Sequence, residues 1–209
     1  MSLLRTAAQF EELDRLRRQF AGLAEKQRSR AVAENQRAYS AWLLAKWPGE
    51  PCLADVAPRI SQLAAQHESL DDGLLRDLCP GIGWRKDALA PLTLDHQPLP
   101  PAESMAALHR FFDWVGEEAF AQLHPVEQAA LCQARLLEIA PFQRHNVAMA
   151  HATSCFWLLR AGYLFPLWEH EQPGKYEEYL NAAFKLDMQS LVDHLLRGEN
   201  GALRMVLRN

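Results

Sequence analysis

The sequence predicts a mainly α-helical protein with one short extended flap. Apolar residues recur at spacings of three and four along most of the 209 residues, as they do on the buried face of an amphipathic helix. Residues 89–101 depart from this spacing, because they are rich in proline and their apolar residues alternate. The 49% apolar composition suits one globular domain with a helical extension. We therefore expect an all-α fold that carries one β-hairpin flap.

The first fifty residues are predicted to be an N-terminal helical extension. Their apolar residues keep spacings of three, four or seven, and the helical pattern continues to about residue 43. Pro48, Gly49 and Pro51 then break the pattern, so residues 47–53 are the best linker candidate. We expect the extension to occupy residues 1–50 and the main domain to occupy residues 51–209. The first apolar face consists of Leu3, Ala7, Phe10, Leu13, Phe20 and Leu23.

The main domain is predicted to contain several further helices. The first begins near Asp55, and a short second one contains three leucines before Pro80 and Gly81. Pro101 is a favourable first residue for the next helix, and Gly198 is expected to end the last one. The later helices are expected over residues 101–115, 125–139, 146–161, 175–184 and 187–196.

Composition and charge argue against several classes of protein. The formal net charge of −4 makes nucleic-acid binding through the arginine-rich first helix the least favoured hypothesis. No apolar stretch is long enough to span a membrane, and charged residues at the start of the chain argue against a secretory signal. We expect a protein without a membrane partner. The scattered cysteines, which form no metal-binding pair and suit a reducing compartment, are Cys52, Cys79, Cys132 and Cys155.

Residues 139–151 form a window that contains the strongest candidates for functional residues. A long apolar helix precedes a short loop, and Asn146 is a favourable N-cap for the buried helix that follows. A helix N-terminus presents free N–H groups and a partial positive charge, so it can bind an anion. Arg144 and His145 lie in the loop, and His151 lies about one and a half turns into the helix. Spacing alone favours a plain helix corner whose Arg and His side chains face water.

This window resembles the signature of the Fic (Fido) family, His-Pro-Phe-x-Asp-Gly-Asn-Gly-Arg-x-x-Arg. Pro141, Phe142 and Asn146 match the signature and would form the scaffold of the loop. Upstream, residues 83–85 resemble the family's Gly-x-Arg, and residues 92–101 resemble its flap. The similarity extends over most of the chain, from Asp55 to Leu196, and it implies a Fic/Fido-like fold.

The resemblance also implies what each signature position does. In active members the His is a general base, the acidic residue binds Mg²⁺, the glycines cradle phosphate and the two arginines steady it. Nearly all of these positions differ in this chain, so the resemblance implies a degenerate member in which no catalytic residue, metal site or cofactor is expected. The substituted positions are Ala140 for the base, Arg144 for the metal ligand, His145 and Val147 for the glycines, and Ala148 and His151 for the arginines.

A second resemblance lies in the N-terminal extension. Many members carry an inhibitory helix with the motif Ser/Thr-x-x-x-Glu-Gly/Asn, which Glu34 and Asn35 resemble, with Arg30 in the Ser/Thr position. If the motif is real, Glu34 should lie near His151 and near Arg144. The alternative is that Glu34 and Asn35 belong to an ordinary polar helix surface.

The favoured function is a binding or regulatory module that lacks the usual AMP transfer. In the family, the flap docks a segment of the partner by strand addition. Leu92, Leu94 and His96 are the flap residues that would do so in this chain, and the N-terminal helix is the other candidate surface. The resemblance also implies a cytoplasmic protein of bacterial type and a homodimer.

The alternative is a divergent Fido enzyme that transfers a nucleotidyl or phosphoryl group to protein. Arg144, His145 and His151 replace the lost groups inside one anion-friendly corner, and His145 would act as the base. ATP and Mg²⁺ are expected as ligands only under this alternative. Whether the protein is an enzyme is left open, with the first hypothesis favoured.

Overall fold

The structure is a computed structural model that describes residues 2–48, 51–67, 69–78, 81–91, 96–168 and 174–208. Over these residues the chain forms ten α-helices and a short 3₁₀ helix, Pro51–Ala54, and the predicted helical fold is confirmed. None of the helices formed by these residues is long and apolar enough to cross a membrane. The helices are α1 (Ser2–Ala21), α2 (Glu25–Lys46), α3 (Val56–Gln66), α4 (Asp72–Leu78), α5 (Pro101–Val115), α6 (Glu118–Ala121), α7 (Pro125–Ile139), α8 (Asn146–Arg160), α9 (Lys175–Phe184) and α10 (Gln189–Arg208).

Helix α8 is the centre of the fold. Twelve of its fifteen residues are buried, so it has no polar face and is a core helix. Its main neighbours are α7 and α3. Only residues 140–145 separate α7 from α8, and a connection this short keeps the two helices side by side. The corner that resembles the Fic signature therefore lies at the end of two packed core helices.

The N-terminal extension is two helices rather than one continuous helix. A turn at residues 22–24 separates α1 from α2, with the N–H of Gly22 donating to the Arg18 carbonyl at 3.0 Å. Both helices pack on α10. Leu13 of α1 and Tyr39 of α2 belong to the same hydrophobic core as the rest of the chain. The extension is therefore integral to the fold, and the boundary between residues 50 and 51 stays a prediction.

A polar cluster holds α1 against the rest of the fold. The hydroxyl of Tyr163 donates to Asp14 of α1. The ring of His124 stacks on Phe10, with centroids 3.9 Å apart. His124 Nδ1 accepts a hydrogen bond of 3.2 Å from the N–H of Val126, so the neutral ring carries its proton on Nε2, 3.3 Å from the Tyr163 hydroxyl. These contacts tie α1 to the start of α7 and to the segment after α8.

Helix α10 is longer than the sequence predicted. The expectation that Gly198 ends it is wrong, because the helix continues to Arg208. The segment after α8 lies so close to α10 that the N–H of Leu167 donates to the Gly198 carbonyl at 3.1 Å. A Cβ atom on Gly198 would lie 2.7 Å from Cε2 of Trp168. This glycine therefore permits a close approach of two segments and does not terminate the helix.

Gly198→Ala is expected to lower the free energy of unfolding by about 1–3 kcal/mol. The collision with Trp168 outweighs the gain of about 1 kcal/mol that alanine brings to a helix. The Trp168 ring cannot easily move away, because its Nε1 donates to the His194 carbonyl at 2.9 Å. Urea unfolding measures the change. Gly22→Ala is the matched control, since its Cβ would first meet another atom at 3.4 Å, and a Gly198→Ala protein of unchanged stability would contradict the close packing.

The predicted flap is described only at its two ends. Leu92 and Leu94 lie outside the described residues, so the hairpin stays a prediction. The ring of His96 stacks on Phe184 at the end of α9, with centroids 4.1 Å apart. Before the flap, residue 84 forms an isolated antiparallel bridge with residue 142. The chain before the flap therefore contacts the corner between α7 and α8, and His96 in the flap contacts α9.

Candidate functional site

The corner between α7 and α8 contains two residues with left-handed backbone. Ala140 ends α7 with φ of 46°, and His145 precedes α8 with φ of 61°. This conformation costs a residue other than glycine about 1–2 kcal/mol, so the turn needs support from its surroundings. Val147, at the second glycine position of the resembled signature, lies in the first turn of α8 and requires no left-handed backbone.

Asn146 supports the loop and does not cap α8. The expectation of an N-cap is wrong, because Asn146 is the first residue of α8 and makes no capping bond to its backbone. Instead, the N–H of Phe142 donates to Asn146 Oδ1 at 2.9 Å, and Asn146 Nδ2 donates to the Phe142 carbonyl at 2.8 Å. The Phe142 ring is buried and stacks on Trp84, with centroids 5.4 Å apart. Phe142 and Asn146 thus lock the shape of the loop.

Arg85 fixes the corner to the chain on both sides of the flap. Its N–H donates to the Pro141 carbonyl at 2.8 Å. Its guanidinium Nη2 donates to the carbonyls of Leu99 at 2.6 Å and Ile139 at 3.2 Å. Because Ile139 is the last residue of α7, the guanidinium also satisfies a carbonyl at the helix C-terminus. Burial lowers the pKa of Arg85. Sequence reasoning identified this residue only as part of a resemblance and missed its role.

Arg144 makes the outside of the corner positive. Arg144 is exposed and has no ion pair or hydrogen bond with any residue that the structure describes. His145 is half-buried at the N-cap position, and the first N–H groups of α8 add a partial positive charge. A permanent guanidinium does not fit a Mg²⁺ site. Within the described ranges, no group of three or more His, Cys, Asp or Glu side chains is arranged to hold a metal ion.

His151 lies apart from Arg144 and His145. It is 1% exposed, and its Nδ1 lies 2.8 Å from the hydroxyl of Tyr39. The ring of Trp42 packs on it, with centroids 4.8 Å apart. Burial, with smaller contributions from His194 and Lys46, lowers the pKa of His151 well below its ordinary value, so the ring is neutral at neutral pH. His151 therefore adds no positive charge to the corner.

The contact predicted between Glu34 and His151 is wrong. Glu34 pairs with Arg30 on α2 itself, with Nε and Oε1 2.8 Å apart. Asn35 points into the fold and is 1% exposed. Its side chain exchanges two hydrogen bonds of 2.9 Å with the backbone of Phe165. Of the two residues that resemble the inhibitory motif, Glu34 thus forms an exposed ion pair, and Asn35 forms buried hydrogen bonds that stabilise the fold.

Helix α2 meets α8 one turn later, through Tyr39, which sequence reasoning missed. Tyr39 lies four residues after Asn35, and Ala31 and Leu43 continue the same buried face. The spacing of four is visible in the sequence and could have identified this face. Cys155 Sγ donates to the Tyr39 hydroxyl at 3.4 Å, and burial raises the pKa of Tyr39. The contact between α2 and α8 is therefore made of buried, neutral groups.

Comparison with known proteins identifies relatives that match part of the chain. No protein-family model matches it. The Protein adenylyltransferase Fic of Drosophila willistoni is 33% identical over 97 residues, which is 46% of this chain and 20% of that protein. The chain therefore spans about a fifth of the length of the curated relatives it matches.

Solved structures have the same fold over nearly the whole chain. A Fic domain containing signaling protein from Bacteroides thetaiotaomicron has a TM-score of 0.78 at 19% identity, with 96% of each chain covered. IbpAFic2 covalently tethered to Cdc42 has a TM-score of 0.57 at 17% identity, with 92% of this chain and 70% of that one covered. These likenesses agree with the fold that the sequence predicts. The chain has the Fic/Fido fold.

Proposed function

We propose that this domain is a binding or regulatory module that does not carry out the usual transfer of AMP to protein hydroxyls. The observation that supports this most is Ala140, which stands at the general-base position of the signature. Its side chain is 0% exposed, so the position offers neither a proton acceptor nor room for one. Loss of a general base typically costs about 10²–10⁴ in rate. The domain is thus proposed to be a degenerate member of its family.

The charges around the corner support the same function. Nucleotidyl transfer needs groups that neutralise the phosphates, and in the resembled signature these are a metal ion and two arginines. Arg144 would repel a metal ion, and the neutral, buried His151 cannot bind a phosphate. The divergent-enzyme alternative therefore depends on Arg144, His145 and the N-terminus of α8 alone.

We propose a protein as the partner of this module. The related IbpAFic2 is known in a structure tethered to the protein Cdc42. In this chain the flap and the N-terminal helices are the candidate surfaces. A cytoplasmic location is proposed as well, and the buried free thiols of Cys132 and Cys155 support it.

Calorimetric titration with ATP and a non-hydrolysable analogue, each with and without Mg²⁺, tests the proposed function. We expect no magnesium-dependent binding at millimolar nucleotide. Tight binding that Arg144→Ala abolishes would instead favour the divergent enzyme. Labelled AMP or phosphate transferred to a protein, and lost on mutation of the loop, would refute the proposal.

The double substitution Ala140→His and Arg144→Asp is expected to restore no AMP transfer. It returns the base and the acidic metal ligand, but it leaves Val147 and Ala148 where the signature has glycine and arginine. A histidine at position 140 must also enter a fully buried site with left-handed backbone. Transfer of labelled AMP measures the outcome. Ala140→Gly is the control for the backbone, since glycine accepts the same φ without strain. Measurable transfer by the double variant would contradict this prediction.

A further inference from the structure

His124 lies where α1, the start of α7 and the segment after α8 meet. Its ring stacks on Phe10 of α1, and its Nδ1 caps α7 by accepting a hydrogen bond of 3.2 Å from the N–H of Val126. On the other edge of the ring, Nε2 lies 3.3 Å from the hydroxyl of Tyr163, which donates in turn to Asp14 of α1. The side chain of His124 is 15% exposed. We call His124, Tyr163 and Asp14 the latch.

The hydrogen bonds of the latch require a neutral ring at His124. Because Nδ1 accepts from the N–H of Val126, the single proton of a neutral ring is on Nε2, which donates to the Tyr163 hydroxyl. That hydroxyl accepts this bond while it donates its own hydrogen to Asp14. Each donor therefore meets an acceptor, and the bonds connect the N-terminus of α7 with α1.

A second proton on the His124 ring is incompatible with these bonds. It would bind to Nδ1, and the new N–H would face the N–H of Val126 across the same 3.2 Å. Two donors cannot form a hydrogen bond with each other, so the ring must turn away from the start of α7 and the helix loses its N-cap. Because the ring is stacked on Phe10 at 3.9 Å, the same movement removes a contact of α1.

The charged groups that face the ring do not compensate for this loss. Asp14 attracts a charged ring, since its Oδ2 lies 3.9 Å from Nε2. Asp14 is already paired with Arg17 at 3.3 Å, however, and Arg17 repels a charged ring. On α7, the carboxylate of Glu127 accepts a hydrogen bond of 3.0 Å from the backbone N–H of His124 and is also attractive. Burial outweighs these attractions and lowers the pKa of His124 below 6.5.

His124 is the member of the latch that titrates near neutral pH. Burial acts to raise the pKa of Asp14, but the hydrogen bond from Tyr163 and the charges of His124 and Arg17 lower it below 3.8. Burial raises the pKa of Tyr163. Asp14 is therefore charged and Tyr163 is neutral on both sides of the histidine titration.

Helix α1 is suited to local detachment. Its main packing partner is α10, and a short turn at residues 22–24 connects it to α2. A helix with one main neighbour opens more readily than a core helix such as α8. Detachment exposes the apolar face of Leu13, Leu16 and Phe20, which is buried in the folded protein. These apolar contacts keep α1 mostly closed, and the latch shifts the equilibrium between the closed and the open helix.

We propose that the latch is pH-dependent: with a neutral ring at His124 it holds α1 against α7 and the segment after α8, and protonation of the ring promotes detachment of α1. When α1 is detached, the solvated ring takes up a proton at its ordinary pKa of 6.5, whereas the closed form does so only at lower pH. The latch is thus fully effective above pH 6.5 and weakens as the pH falls. Detachment becomes up to about tenfold more favourable per pH unit until the pKa of the closed form is reached. This inference goes beyond the proposed function, because it involves neither a nucleotide nor a partner.

Hydrogen exchange of backbone amides, measured by mass spectrometry on the full chain, tests the inference. Exchange of α1 and α8 is compared at about pH 7.5 and about pH 5.5, with each rate corrected for the intrinsic effect of pH on exchange. We expect α1 to exchange faster than α8 at both pH values, as a locally opening helix does. We also expect the opening equilibrium of α1 to increase about fivefold at the lower pH.

His124→Asn removes the titrating ring but supplies a favourable N-cap for α7. We expect α1 of this variant to open more at both pH values, since the stack on Phe10 is lost, and the fivefold effect of pH to disappear. Helix α8, which exchanges when the whole fold opens, should keep the part of its pH dependence that comes from the buried rings of His151 and His194. His109→Asn, on an exposed part of α5, is the matched control and should keep the effect of pH on α1.

Three results would overturn the inference. Exchange of α1 at the same rate as α8 would mean that α1 opens only with the whole fold. An unchanged effect of pH on α1 in His124→Asn would assign the titration to another group. Nitrogen NMR of the unsubstituted protein needs no variant: a proton on Nδ1 of the neutral His124 ring would contradict the hydrogen bond from Val126 on which the latch depends.

Discussion

His151→Arg is expected to lower the free energy of unfolding by about 3–5 kcal/mol. The substitution restores the second arginine of the resembled signature, but it buries a guanidinium where the structure has a neutral ring. His151 is 1% exposed, and the Tyr39 hydroxyl at 2.8 Å is its hydrogen-bond partner. Its Nε2 has no partner within the described ranges. The positive charge of Lys46 already acts on this position, so a second charge would be repelled.

Urea unfolding of a small set of variants tests this expectation. His151→Gln keeps a neutral side chain that can bond to Tyr39, so it should cost only about 1 kcal/mol. His109→Arg makes the same change on an exposed part of α5 and serves as the matched control. A His151→Arg protein that is as stable as the His109→Arg protein would contradict the burial argued for this position.

The same burial bears on the proposed absence of AMP transfer. The base position, Ala140, is fully buried, and the second arginine position, His151, is enclosed by α2. Both sites are therefore filled by core packing rather than left open for a ligand. Returning the signature residues one at a time should destabilise the domain before it produces activity. This behaviour would support the proposal that the domain is a degenerate member of the Fic family.

The sequence predicted the limits of two helices well. The helices predicted over residues 125–139 and 175–184 coincide with α7 and α9, and Pro125 marks the start of α7 as its first residue. The last helix was predicted too short, because Gly198 carries the same local signal whether it ends a helix or permits close packing. Only the contact with Trp168, which is distant in sequence, distinguishes the two cases.

The register of the loop between α7 and α8 could be predicted from the sequence. The side chain that contacts His151 could not. Pro141, Phe142 and Asn146 gave the register of the corner, because the loop needs those residues for its shape. The sequence placed Glu34 of α2 beside His151, but Tyr39, about one turn later, is the residue that contacts it. The sequence could not distinguish the two, because successive turns of an amphipathic helix have similar patterns. A shift of one turn replaces a carboxylate with the hydroxyl of Tyr39, and that shift is decided by packing against the segment after α8.

Glu199→Gln is expected to stabilise the protein increasingly as the pH rises above 4.5. Glu199 is 0% exposed on α10, and its Oε2 accepts only a long hydrogen bond of 3.4 Å from the N–H of Leu164. Burial therefore raises the pKa of its carboxyl well above the ordinary value of 4.5. Above that value the folded protein keeps a proton that the unfolded chain releases. The free energy of unfolding then falls by about 1.4 kcal/mol per pH unit until the folded-state pKa is reached.

Glutamine has the same shape as glutamate without the charge, so the variant keeps the contact with Leu164. Its free energy of unfolding no longer falls with rising pH through the titration of residue 199. Urea unfolding at a series of pH values above 4.5 measures the difference between the two proteins. Glu103→Gln, on an exposed part of α5, is the matched control. Identical pH dependence in the unsubstituted protein and in Glu199→Gln would mean that water reaches the carboxyl.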